Sequence, residues 1–138
     1  MNNDMEADLD RLDAFAAANR EAYYGADPFP HTKIDDFVHP AVLEGVLAEA
    51  EAADIGGWSD MEDRYQKKSA LNSTREMGPK TRALIQFLNG QEVIMFLEKL
   101  TGIEGLVPDP FLAGGGLHQL RQGGFLGVHA DFNFQKHM

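Results

Sequence analysis

Residues 114–134 read GGGLHQLRQGGFLGVHADFNF. The glycine pair at 123 and 124 separates two runs rich in β-formers, so the stretch reads as strand, turn, strand. In an extended run, residues i and i+2 project to the same face, roughly 6–7 Å apart along the backbone. His129 and Asp131 therefore share a face, and Ala130 points away. An imidazole and a carboxylate so placed can converge on one divalent cation, each with a ligand atom about 2 Å from it. Phe125, Leu126, Val128, Phe132 and Phe134 make the setting largely apolar. A charged pair buried there is costly unless a metal or a hydrogen-bond partner compensates it. On the three residues H-x-D alone, an exposed strand or a local His–Asp hydrogen bond is the simpler reading.

Upstream, the pattern is helical. Over residues 6–24, Leu9, Leu12, Phe15, Ala16 and Tyr23 recur at helical spacing, and Gly25 closes the helix. Prolines at 28 and 30 forbid helix in the next stretch, whose Phe29, Ile34 and Phe37 read as a short strand or an extended lead-in. Pro40 suits the first turn of a helix over 40–54 with Val42, Leu43, Val46 and Leu47 on one face. Residues 58–78 are polar and irregular, with a possible strand at YQKKSAL (65–71). Pro79 opens a helix carrying Leu84, Ile85, Phe87 and Leu88. A second helix follows with Val93, Phe96, Leu97 and Leu100 inward and Gly102 as its stop. With helices first and strands last, the expected class is α+β.

Composition narrows the function. The chain has 138 residues, 43% of them hydrophobic and nine of them Phe, enough for one domain with a modest core. It lacks a continuous apolar run long enough to span a bilayer, and MNNDMEADLD at the start is no secretory signal. Without cysteine there are no disulfides, thiolate zinc sites or cysteine nucleophiles, and a cytoplasmic location is expected. Residues 1–62 hold 15 Asp/Glu against 3 Lys/Arg, and residues 63–138 hold 7 against 9. So acidic a front half disfavours nucleic acid, whose phosphates need a basic surface. The run Lys67, Lys68, Arg75, Lys80 and Arg82 is most simply a solvated face. His31 and His39 are expected to face solvent or cap, and Trp58 to pack or anchor a loop. The glycine clusters lack a following helix with a P-loop lysine, and no Gly-x-Ser-x-Gly occurs.

The glycine-rich strand leading into H-x-D, together with PFPHTKIDDFVHP (28–40) and LTGIEGLVPDP (100–110), resembles a known family. It is similar to the iron(II)/2-oxoglutarate-dependent dioxygenases, in particular the prolyl-4-hydroxylase-like branch, over most of residues 28–134. The resemblance implies an N-terminal helix and polar leader at 1–27. Residues 28–138 would then form the N-terminal part of a dioxygenase domain, in which helices pack on the start of a double-stranded β-helix, or jelly roll. Eight strands with their loops need about 80–100 residues, so the core is expected to be truncated in this chain.

In that family, two histidines and a carboxylate hold the iron on one face. The resemblance assigns the first histidine to His129 and the carboxylate to Asp131. The second histidine and the basic residue that pairs with 2-oxoglutarate are expected beyond Met138. His118 and Gln119 are expected to line the pocket. Implied with the fold are iron(II), 2-oxoglutarate as cosubstrate and ascorbate as supporting reductant. The implied substrate is a protein, a peptide or a small molecule, hydroxylated at a C–H bond, and the 138-residue chain alone is expected to be inactive.

Two alternatives stand beside this. If Gly123–Gly124 is a two-residue hairpin turn, His118 sits directly opposite His129, and His118, His129 and Asp131 form a local site. The resemblance instead routes these two strands into different sheets. The other alternative is a non-enzymatic α+β binding or interaction module with an incidental H-x-D.

Overall fold

The apolar spacing of the first helix is met by the last. In a computed structural model, which describes residues 9–52, 57–112 and 115–129, α1 spans Leu9–Tyr24 and α2 Pro40–Ala52. α3 spans Pro79–Leu88 and α4 Gln91–Thr101. Leu12 and Ala16 of α1 bury themselves against Phe96 and Leu100 of α4. Phe15, Tyr23, Ile34, Phe37 and Leu97 pack around that cluster. Phe37 supplies a ring to both Phe87 and Phe96, with centroids 6.3 and 5.9 Å away. The lead-in at 28–39 forms neither a strand nor one extended run: it bends at 28–30 and turns at 35–36, with Asp36 at φ 54°, and its Ile34 and Phe37 help close the core.

α1 also finishes α4. A helix leaves its last carbonyls without intrahelical partners. Here Arg20 donates to the Lys99 carbonyl at 3.0 Å, and the Tyr24 hydroxyl donates to that of Thr101. Gly102 takes φ 67°, and a Cβ there would collide with both the Tyr24 hydroxyl and the Arg20 guanidinium. The glycine stop expected from sequence is therefore doubly required.

α2 packs chiefly on α3, and only part of the face expected is inside: Val46 is buried and Val42 partly so, but Leu43 and Leu47 are not. Gly45 and Val46 are buried, whereas Leu43 and Leu47 remain 47% and 58% exposed. The cause is a close approach: the Lys80 stem lies where a Cβ on Gly45 would sit. The same face presents Glu49 to the start of α3, whose own N-cap, Gly78, has no side chain to offer. The Glu49 carboxylate accepts hydrogen bonds from the Lys80 amide, the Thr81 amide and the Thr81 hydroxyl, each at 2.8 Å.

Four helices and a small four-stranded antiparallel sheet make the described part an α+β fold. No described helix is long and apolar enough to cross a membrane. The strands are β1 (Ser59–Glu62), β2 (Gln66–Leu71), β3 (Leu117–Gln119) and β4 (Phe125–Leu126). Two of them precede α3: β2 falls on the possible strand at 65–71, whereas β1 is unexpected. β1 and β2 form a hairpin whose turn is fixed by Asp63, accepting from the Tyr65 and Gln66 amides at 2.7 and 3.1 Å.

The alternative hairpin at Gly123–Gly124 is not formed. β3 and β4 do not pair with each other; both pair antiparallel with β2, one after the other along the same edge. Gln119 faces Ser69 and Leu126 faces Gln66, so seven steps on the β3–β4 side span three on β2. The surplus leaves the sheet as a loop around Gly123 (φ 83°). A Cβ on Gly124 would lie 2.8 Å from the Lys67 carbonyl, so the glycine pair serves a close approach to β2.

Phe96→Ala is expected to remove about 3–5 kcal/mol of stability, the range for deleting a buried aromatic. Leu47→Ala should stay within about 0.5 kcal/mol. Urea denaturation of the two variants separates these outcomes and tests which helix faces are inside.

Candidate functional site

β4 delivers His129. Phe125 and Leu126 pair with Lys67 and Gln66, and the Gly127 amide extends the pairing by donating to the Tyr65 carbonyl at 2.6 Å. Two residues on, His129 is exposed, with Nδ1 2.8 Å from the Gly127 carbonyl oxygen. A carbonyl can only accept, so Nδ1 carries the proton, and a neutral ring then keeps Nε2 as its acceptor nitrogen. A metal-ligating histidine is oriented in the same way, by a hydrogen bond from its other nitrogen. Asp131 lies outside the described residues, so its side relative to His129 is not among the structural findings.

His118 and Gln119, expected to line one pocket, project to opposite faces of β3. His118 is paired with Ala70, and Lys68 on the same face places its ammonium 3.3 Å from the His118 Nδ1. An ammonium only donates, so His118 accepts as a neutral ring. Gln119 falls in the row Asp60–Ser69–Gln119 across three strands. In that row the Ser69 hydroxyl donates to Asp60 at 2.6 Å, and Arg121 donates to the Gln119 side chain at 3.2 Å. These residues and Lys67 border a shallow groove of about 190 Å³.

Of the alternative local site of His118, His129 and Asp131, the two described members, His118 and His129, are not brought together. His118 sits at the Ala70 end of β2, whereas His129 follows the contact with Tyr65. Five residues of strand separate those points, on the order of 16 Å. Among the described residues no group of three His, Cys, Asp or Glu side chains is placed to hold a metal. They supply one candidate iron donor, His129, which does not by itself fit the three-ligand site that the family resemblance implies.

The remaining candidates resolve into structure. The His39 Nδ1 accepts from the Ala41 amide at 3.2 Å at the start of α2, and His31 contacts the Phe29 carbonyl. The basic run is dispersed: Lys67 pairs with Glu62, the Lys80 stem covers Gly45, and Arg82 donates to the Met77 carbonyl. Sequence reasoning missed the sheet groove because β1 has four exposed residues and no apolar alternation. It also missed a second groove of about 340 Å³, bordered by Thr74, Arg82, Gln86, Asn89, Asp109 and Leu112. Its walls come from segments distant in sequence, so no local motif marks it.

Comparison with known proteins adds no relative: no family model, curated protein or solved structure matches the chain.

Burial, and then the nearby Lys68 charge, hold the His118 pKa below the usual histidine value. A folded-state pKa lowered in this way stabilises the fold at neutral pH. That contribution is lost as pH falls from the ordinary histidine value through the depressed one. Lys68→Met should move the His118 titration upward, but not fully to the ordinary value, because burial remains. Proton NMR of the ring resonances checks this; an unchanged midpoint removes the Lys68 contact from the account.

Proposed function

We propose that this chain is the N-terminal part of an iron(II)- and 2-oxoglutarate-dependent hydroxylase domain of the prolyl-4-hydroxylase-like kind. In this reading His129 and Asp131 are two of the iron ligands. The observation that carries it is the H-x-D pair itself, His129 and Asp131 two residues apart after a glycine-rich stretch. The contact of the His129 Nδ1 with the Gly127 carbonyl is compatible with it. The H-x-D motif supplies the carboxylate two residues on. The exposed apolar residues of the sheet support it as well: Phe125, Leu126 and Val128 are 44%, 47% and 104% exposed, as expected of a jelly roll of which only the first part is present.

The reading requires a third ligand and a basic residue for the cosubstrate from sequence beyond this chain. With iron, 2-oxoglutarate and dioxygen bound, such a domain couples oxidative decarboxylation to hydroxylation of a C–H bond, with ascorbate keeping the metal reduced. The substrate class is a protein, a peptide or a small molecule, and the setting cytoplasmic. Within this chain, His129 would offer Nε2 to the metal and Asp131 its charge.

A second reading, a non-enzymatic binding module, draws on a different observation. The described residues assemble a polar groove on the sheet but no three-donor cluster.

Anaerobic titration of the 138-residue chain with iron(II), or with manganese(II) as a paramagnetic stand-in, distinguishes the two. The hydroxylase reading expects weak binding that broadens the His129 ring signals, and no succinate from 2-oxoglutarate. His129→Ala and Asp131→Asn should each weaken that binding about tenfold or more, and His118→Ala should leave it unchanged. In the full gene product, Asp131→Ala should abolish succinate formation. Metal that perturbs His118 and spares His129, or affinity untouched by Asp131→Asn, would sink the assignment. A complete absence of metal response favours the binding module.

A further inference from the structure

α2 is joined to the molecule unlike the other helices. α1 and α4 share the buried aromatic cluster, whereas α2 packs chiefly on α3 and buries Gly45 and Val46. Its Leu43 and Leu47 are about half exposed. The segment before it turns at 35–36 and forms no strand pairing. What locks the junction is one side chain. The Glu49 carboxylate is the acceptor for two amides in the first turn of α3 and for the Thr81 hydroxyl. Thr81 is 1% exposed, so its donors have no water to fall back on while α2 is docked. Gly78 adds a steric condition, since a Cβ there would occupy the space of the Glu49 carboxylate.

We propose that α2 is an acid-released flap, which leaves α3 as a unit when Glu49 is protonated while the α1–α4 core stays folded. The chemistry follows from the donor set. An ionised carboxylate meets all three donors with lone pairs. A protonated one turns an O–H toward two amides that can only donate, and has the Thr81 hydroxyl, if it rotates, as its one acceptor. The charged group facing Glu49 from α3 is Lys80, whose ammonium also favours the ionised form. Burial alone would raise the Glu49 pKa. The Lys80 amide, the Thr81 amide and the Thr81 hydroxyl, with the Lys80 charge, outweigh it and hold the carboxyl below the ordinary glutamate value. The direction of linkage is then fixed. Docking is favoured at neutral pH, and the advantage is lost as pH falls from the ordinary value through the depressed one. Release uncovers Val46 and Thr81 and frees the first turn of α3. The proposal does not depend on the metal reading.

Amide hydrogen exchange followed by NMR tests it. In the native protein, protection across residues 43–52 should fall as pH passes through the Glu49 titration, with protection in α1 and α4 retained. Glu49→Gln keeps the shape but not the charge. It should raise α2 exchange at neutral pH about tenfold or more, the scale of losing charge-assisted hydrogen bonds, and should abolish the acid step. Gly78→Ala leaves the charge in place but displaces the carboxylate. It should open α2 at neutral pH and shift the remaining step toward the ordinary glutamate value. Loss of protection in α2, α1 and α4 together, in one transition, overturns the proposal. So does an acid step that survives in Glu49→Gln.

Discussion

Every strand of the sheet hydrogen-bonds to β2. Its one edge carries β1, and its other carries β3 and β4 in succession, so six residues hold the whole sheet together. The two ends of β2 are not equal. Ser69, Ala70 and Leu71 are buried, while Gln66, Lys67 and Lys68 are not, so the end that holds β4 is the more exposed one. Approach to the buried end depends on Gly116, at φ 130°, where a Cβ would lie 2.5 Å from the Leu71 carbonyl. His129 inherits its position from this arrangement. It hangs from two paired residues and the Gly127–Tyr65 bond. With so short a strand and so much exposed backbone, that region belongs to the least stable part of the fold.

The helices solve a different problem, and solve it in the same way twice. The C-terminus of α4 is completed by Arg20 and Tyr24 of α1, and the N-terminus of α3 by Glu49 of α2. Terminal hydrogen bonds of this kind are worth about 0.5–2 kcal/mol each. The Lys33–Asp35 and Lys99–Asp13 ion pairs are solvent-exposed, and such pairs contribute about 0–1 kcal/mol. Helix ends finished by neighbouring helices therefore orient the bundle more strongly than its surface charge pairs do. In both places a glycine, 102 or 78, makes room for the incoming group.

What could be read in the sequence follows the same division. α1 and α4 were legible because each buries a stripe set by the helical period, and the Gly102 stop is local backbone chemistry. The buried face of α2 was legible only in part: the spacing puts Val46 inside, but not Gly45, which faces the Lys80 stem 35 positions away. β1 was invisible to hydrophobic patterning, having four exposed residues. The two-glycine turn misled because Gly-Gly is a sound hairpin signal by itself. What overrides it is the docking of both flanking strands on β2. Of the candidate site, the H-x-D spacing could be seen, but not which nitrogen of His129 carries the proton, since that depends on the Gly127 carbonyl.

The pattern around β4 bears on what should surround it. Phe125 shares a face with Lys67, and Leu126 shares the opposite face with Gln66, so each side of the sheet shows an exposed apolar residue at this point. A strand with one wet face alternates apolar with polar, whereas consecutive apolar residues mark a strand covered on both faces. Full burial of two such side chains is worth about 1.5–3 kcal/mol each. A single layer laid on one face would recover only half of that. Cover on both sides is more than a two-sheet β-core gives by itself, since only the inner faces of its sheets are packed; a further layer, such as helices on the outer face, has to meet the other residue.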